Sequence, residues 1–349
     1  MPDKQQLGLF GDQISEAKPL TVRPVHHDPE LATLATRLPE NIHLGTSSFT
    51  FPGWRGLVYD GDYTKRALVS GGLGAYAQHP LFDLIGLDRT YYRPLDTHAF
   101  QDMAGGTPST FRFLAKAHQF VTIPRFGDHP RYGGRAGKEN DLFLHPDFAL
   151  QEVVEPFLHG LKERAGPLVF QFPPFDSRQV GGARRFAERL YHFIRALPSG
   201  PTYAFELRNE ELFTDDYLAA LRACGAVHCF NSHPTMPDLS AQLERYSLWD
   251  RPLVARWMLR RTRGYEDAKF AYEPYDQIVE PDLVALEQLA RLVLLSTERD
   301  APVFVSVSNK AEGSAPRSVE RLTRAIVGGG RFDEIYGHGA SLSIQSENA

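Results

Sequence analysis

Four charged residues interrupt otherwise apolar runs in this chain. Lys116 stands in FRFLAKAH, Glu206 and Arg208 in YAFELR, and Arg256 in LVARW. A charge inside a strand is costly to bury unless it is paired, so such residues are scarce there. One of them would mean an edge strand or a structural ion pair. Four at corresponding positions point to a functional site, with a capping network of Glu206 with Arg208 or Lys116 as the plainer alternative. The set is net positive, which favours an anionic ligand: a phosphate, a carboxylate or a nucleic-acid backbone. Glu206 is the expected general acid or base, since nearby cations and burial tune its pKa in opposite directions. Lys116 and His233 complete the catalytic candidates. Arg208, Arg256, Gln171, Asn231, Asn309, Asp88, Tyr92 and Trp54 are the expected substrate contacts. Asp88, Glu206, Asn231 and His233 could hold Mg or Mn, but no HxH, HExxH or clustered-carboxylate pattern supports it, so no metal ligand is assigned. A retaining glycosidase needs two carboxylates about 5 Å apart, and only Glu206 is firm.

These residues share a position because of the elements that carry them. Eight short apolar runs, rich in β-branched and aromatic residues, read as strands: 42–49, 84–91, 111–118, 168–173, 202–208, 226–231, 253–259 and 302–309. Amphipathic helical patterns fill the gaps, notably 148–161, 183–197, 215–224 and 281–297. Strands alternating with helices imply parallel βαβ units, and eight of them imply a closed (β/α)8 TIM barrel. An open doubly wound sheet is the runner-up, but its glycine-rich phosphate turn is missing after the first strand. In such a barrel the chemistry sits at the carboxyl ends of the strands, where the charged residues fall. Trp54 and Tyr59, in the loop after strand one, could stack a sugar or base over the mouth or plug the rim. The stretch 119–145 is long for such a loop and carries Arg125, Arg131, Arg135 and Lys138, as a lid or a solvated loop would. Arg260, Arg261 and Arg263 extend the basic rim or form a solvated face.

Several segments together are similar to a known family. IHLGTSSFTFPGWRGLVY, TYYRPL, FRFLAKAH, VFQFPPF and FELRNE occur in this order and resemble the YecE-like family, domain of unknown function 72. The resemblance spans about residues 42–326. It implies a TIM barrel and a loose structural kinship with sugar isomerases, and it assigns no reaction. Its motifs fall on Gly45, Thr46, Ser47, Pro52, Gly53, Trp54 and Gly56, then Tyr91, Tyr92 and Arg93. They continue through Phe113, Lys116 and Ala117, Gln171, Pro173 and Pro174, Glu206 and Arg208, and Arg256. Two usual family residues are absent: the strand-two Glu is Gly86 here, and the strand-seven His is Met258.

The remaining sequence bounds the function class. The chain has 349 residues, 38 basic and 43 acidic, and a formal charge of −5. That argues against a polycation that coats nucleic acid, though not against a local basic site. Only Cys224 and Cys229 are present, both read as core residues, so a reduced, cytoplasmic setting is expected. No run approaches 18 apolar residues and no signal peptide is evident, so no membrane partner is expected. Residues 1–40 are read as a flexible arm, disordered to Pro29 with a short helix at 31–38, residues 41–335 as the barrel and 336–349 as a tail. Within the arm, Gln6, Leu7, Leu9 and Phe10 resemble the pentapeptide by which bacterial proteins dock onto the replication sliding clamp. The alternative is an apolar patch that folds back on the barrel. Two hypotheses follow: an enzyme or binding protein for a small anionic ligand, with the cofactor unknown, or a replication and repair accessory protein recruited to the clamp.

Overall fold

The computed structural model describes residues 21–246 and 251–329. Eight parallel strands close into one barrel in sequence order: β1 (Ile42–Thr46), β2 (Leu84–Leu87), β3 (Arg112–Lys116), β4 (Ala165–Gln171), β5 (Tyr203–Glu206), β6 (Val227–Asn231), β7 (Leu253–Trp257) and β8 (Val303–Val307). β8 pairs β1 over five residues, from Ile42 with Val303 to Thr46 with Val307, and so closes the ring. The expected strands are all present, each ending at or before its expected last residue. β2 shows why: Asp88–Tyr91 turns into a 3-10 helix, and the Thr90 hydroxyl donates to the Leu87 carbonyl at 2.7 Å.

Alternation along the strands builds the interior in layers. Leu84, Leu114, Val169, Ala204, Val227, Cys229, Val254 and Phe304 form one buried cluster within the ring. Two residues further along the strands stand Gly86, Lys116, Gln171, Glu206, Asn231, Arg256 and Ser306. Side chains repeat with period two, so this polar set lies in the next layer toward the carboxyl ends. Arg256 is level with both Asn231 and Ser306, and Gln171 with Glu206. The opposite faces of the strands bury Phe170, Phe205 and Phe230 beneath the helical layer, for example against Phe193 of the Ala183–Ala196 helix. The expected helices 183–197 and 215–224 appear almost unchanged. The helical stretch 146–161 carries a π-turn at Leu150–Val154.

The N-terminal segment departs from expectation. Residues 21–35 are seated on the barrel rather than disordered. Val22 and Leu34 are buried, Val25 N–H donates to the Val58 carbonyl at 3.0 Å, and Arg23 pairs with Asp60 at 2.8 Å. The helix here is Pro29–Ala35, opened by Pro at its first position and capped by Asp28. An apolar Val and a backbone ladder outweigh the polar composition that suggested disorder. Residues 1–20 and 330–349, including the expected docking pentapeptide and the expected tail, lie outside the described residues. Among the described residues no helix is long and apolar enough to cross a membrane.

Candidate functional site

The polar layer is one continuous network. Arg256, only 2% exposed, donates from one terminal nitrogen to Glu206 Oε2 at 2.5 Å. Its other terminal nitrogen donates to Asp88 Oδ1 and Oδ2 at 2.7 and 2.8 Å. Lys116 Nζ lies 3.2 Å from Asp88 Oδ1 and donates to Gln171 Oε1 at 2.7 Å. Arg208 donates to Glu206 Oε1 at 3.0 Å and to the same Gln171 oxygen at 2.9 Å. Three cations therefore face two carboxylates.

A cavity of about 420 Å³ opens above this layer. That is within the range of small-molecule pockets, roughly 300–1,000 Å³. Its wall includes Asp88, Tyr92, Lys116, Gln171, Arg208, His233 and Arg256. These seven expected site residues are brought together, at the carboxyl end where alternation placed them. Arg89, Met258, Tyr265, Ser308 and Lys310 join the wall. Tyr265 was missed by the sequence reading. Its only signal was its place at the start of the helix after the basic rim.

Four expectations are corrected. Glu206 does not reach the cavity wall: it is fully buried, and each carboxylate oxygen is taken by an arginine. Burial opposes its ionisation, but Arg256, Arg208 and Lys116 outweigh burial and hold its pKa well below the ordinary carboxylate range. In this arrangement the carboxylate is the counter-ion of two arginines. Trp54 is fully buried against Phe51 and Tyr76, so it plugs the rim instead of stacking a ligand. Tyr59 is buried beside it, with its hydroxyl donating to the Phe49 carbonyl. Asn231 donates its amide to the Leu207 and Cys229 carbonyls, both at 3.2 Å, and accepts the His233 N–H. It braces the loop after β6. Asn309 accepts from Ala315 N–H at 2.7 Å and holds the start of the Ala315–Val327 helix. These amides satisfy backbone groups that would otherwise be buried unpaired.

The other titratable groups have distinct environments. Burial, then Arg256, push the Lys116 amine down to about 8, although Asp88 and Glu206 pull it back up. Burial opposes ionisation of Asp88 too, but Arg256 and Lys116 lower its pKa. His233 is pushed down to about 4 by burial and then by Arg208, so it is neutral near pH 7. No group of three or more His, Cys, Asp or Glu that could hold a metal occurs among the described residues. Glu206 and Asn231, two of the four residues considered for Mg or Mn, are committed elsewhere.

The long loop after β3 leans on the mouth. The Arg131 guanidinium lies 5.2 Å from the centre of the Tyr92 ring, and Tyr132 donates to Gln119 Oε1 at 2.8 Å. The basic rim after β7 faces elsewhere. Arg260 donates to the Glu280 and Pro281 carbonyls, Arg261 to the Met236 carbonyl, and Arg263 to the Glu280 carboxylate. Cys224 and Cys229 are free thiols, and Cys229 is buried in the barrel interior.

Fold and site together define a (β/α)8 barrel protein with a buried ionic network beneath an open mouth. The chain belongs to the family described as "Protein of unknown function DUF72", which matches residues 43–331. The UPF0759 protein YunF of Bacillus subtilis (strain 168) is 23% identical over 282 residues, 77% of this chain and 91% of that protein. Two solved structures share the fold. A DUF72 family protein from Thermotoga maritima MSB8 aligns with a TM-score of 0.55 at 19% identity, covering 82% of this chain and 98% of its own. One from Enterococcus faecalis V583 aligns with a TM-score of 0.53 at 15% identity, covering 82% of this chain and 95% of its own.

Proposed function

We propose that the mouth binds a small phosphate-bearing molecule, a sugar or nucleotide phosphate, and that the protein is an enzyme acting on it. The observation that carries this is the charge balance. Lys116, Arg208 and Arg256 outnumber Asp88 and Glu206 in one network under a cavity of about 420 Å³. Arg256 is spent on the two carboxylates, and Glu206 is neutralised from both sides. Lys116 and Arg208 are therefore the groups that meet the anion, and Asp88 sets the side it avoids. Lys116 replaces Glu206 as the proton carrier, because its pKa of about 8 lies near the working pH. His233 orients the substrate as a neutral imidazole. The implied kinship with sugar isomerases suits a proton-transfer reaction of this kind. Two free thiols suit a cytoplasmic setting.

A thermal-shift screen of phosphorylated sugars and nucleotides at low and moderate salt tests the reading. A ligand at 100 times its dissociation constant should add about 2.7 kcal/mol of stability. A pocketed metabolite should lose little of that with salt, whereas a nucleic-acid backbone bound across the surface would lose affinity steeply. No shift with any phosphate ester would reject the reading.

A second reading rests on Gln6, Leu7, Leu9 and Phe10. We propose that this pentapeptide docks the protein onto a sliding clamp, with the two apolar anchors filling a pocket. A peptide of residues 1–18 titrated into purified clamp should bind at micromolar level, about −8 kcal/mol. Absence of binding at about 100 μM, or no loss on replacing Leu9 and Phe10 by Ala, would reject it.

A further inference from the structure

Two tyrosines line the mouth without being needed to close it. Tyr92 is 58% exposed and Tyr265 is 59% exposed, yet both belong to the wall of the same cavity as Lys116 and Arg208. Exposed aromatic rings in the wall of a pocket offer a ligand a π-face to stack on. They follow β2 and β7, which stand three strands apart around the ring of eight, and both border the same cavity. Each is held by a cation. Arg131 lies 5.2 Å from the Tyr92 ring centre, and Lys310 Nζ lies 4.2 Å from that of Tyr265. Tyr91 packs edge-on against Tyr92 at 5.0 Å and fixes its plane.

The ionic floor can take a phosphate but offers nothing to recognise a flat, apolar ring. The rim offers that. We infer that the ligand is a nucleoside phosphate, its base stacked on Tyr92 or Tyr265 at the rim and its phosphate on Lys116 and Arg208 below. The inference rests on the anion reading above and narrows it from phosphate esters in general to those carrying an aromatic base. A sugar phosphate brings no aromatic ring of its own to stack on them. Base stacking on an aromatic side chain is sequence-tolerant, so the rim selects for a base without choosing which one.

Calorimetry with adenosine 5′-monophosphate and ribose 5-phosphate on the full chain separates the two levels. Stacking contributes about 1–3 kcal/mol per base, so the nucleotide should bind roughly 5- to 150-fold tighter than the sugar phosphate. In the Tyr92→Leu, Tyr265→Leu double variant that ratio should fall toward one. In the Tyr92→Phe, Tyr265→Phe variant, which keeps both rings, it should persist. Both positions are exposed, and an unchanged melting temperature confirms that the variants fold. Equal affinity of the two ligands for the wild type overturns the inference while leaving the anion reading in place. A nucleotide preference that survives the Leu pair also overturns it. If neither ligand binds at millimolar concentration, the anion reading fails and takes the inference with it.

Discussion

Lys116 and Glu206 entered as joint candidates for proton transfer, and their surroundings divide them. Both are buried in one network, but Glu206 has an arginine on each oxygen, whereas Lys116 opens onto the cavity beside Asp88 and the amide of Gln171. Anion affinity should therefore follow the Lys116 charge: high below pH 8 and falling as pH rises through about 8. A calorimetric pH series from 6.5 to 9.5 reads this, and a flat profile would leave Lys116 outside the binding event. Stability should respond differently. Glu206 and Asp88 titrate lower in the fold than in the unfolded chain. Their contribution is present above the ordinary carboxylate range and is lost as pH falls below about 4. The buried Lys116 amine costs most below pH 8, and that cost eases between about 8 and its ordinary 10.5. Glu206→Gln should cost about 3–5 kcal/mol in urea unfolding, because it leaves the buried Arg256 and the half-buried Arg208 with one carboxylate fewer. A loss under 1 kcal/mol would show that the network is not held by this carboxylate. The residue types and their strand positions were legible in the sequence. Which of them would be consumed by pairing was not, because that depends on the β4–β5 and β7–β8 registers and on the turn at Asp88. The amides of Asn231 and Asn309 misled for the same reason: an Asn late in a strand looks the same whether it faces a ligand or a backbone carbonyl.

At the scale of elements, strand alternation did most to place the site. Period two put an apolar layer under a polar one and sent Lys116, Gln171, Glu206 and Arg256 to the same level. The loops carried no such period. Burial of Trp54 and the lean of Arg131 onto Tyr92 could not be read from composition. β2 holds a local constraint that bears on the site. A Cβ on Gly86 would stand 2.7 Å from Ser306 Oγ and 3.0 Å from Ser47 Cα. The strand-two Glu that the family resemblance implies would require Ser306 and the Thr46–Ser47 backbone to shift, and Asp88, two residues on, supplies the carboxylate for Arg256 and Lys116. Gly86→Ala should destabilise the barrel by about 1–3 kcal/mol through overpacking. Adding Ser306→Gly should recover part of that, as measured in a double-mutant cycle, and purely additive losses would contradict the contact. The strap at residues 21–28 makes a second element-scale claim. A chain lacking residues 1–20 is the reference. Removing 1–28 should lower the melting temperature by several degrees below that of the reference, since burial of a Val side chain alone is worth about 1.5–3 kcal/mol. Equal melting temperatures would mean that the strap does not contribute.

For the whole molecule, a formal charge of −5 is compatible with a mouth at which Lys116, Arg208 and Arg256 outnumber Asp88 and Glu206, because net charge says nothing of its local distribution. The closed ring makes that end rigid: its floor is tied to five strands and the loops that leave them, so no single loop needs to order for the network to exist. Rigidity of this kind favours a small ligand held from below over a long polymer draped across the surface. Arg208 is the best probe of that account. Arg256 is almost fully buried and bridges both carboxylates, so its loss would confound folding with binding. Arg208 is 19% exposed and lines the cavity, and its loss leaves Glu206 still paired to Arg256. The decisive measurement is calorimetric titration of the strongest phosphate ester into wild-type protein and Arg208→Gln, each shown to be folded by its melting transition. The account predicts an affinity loss of roughly 2–5 kcal/mol, about 30-fold or more, in the variant. Equal affinities in the two proteins would contradict it and reduce the ionic layer to a structural cap on the barrel.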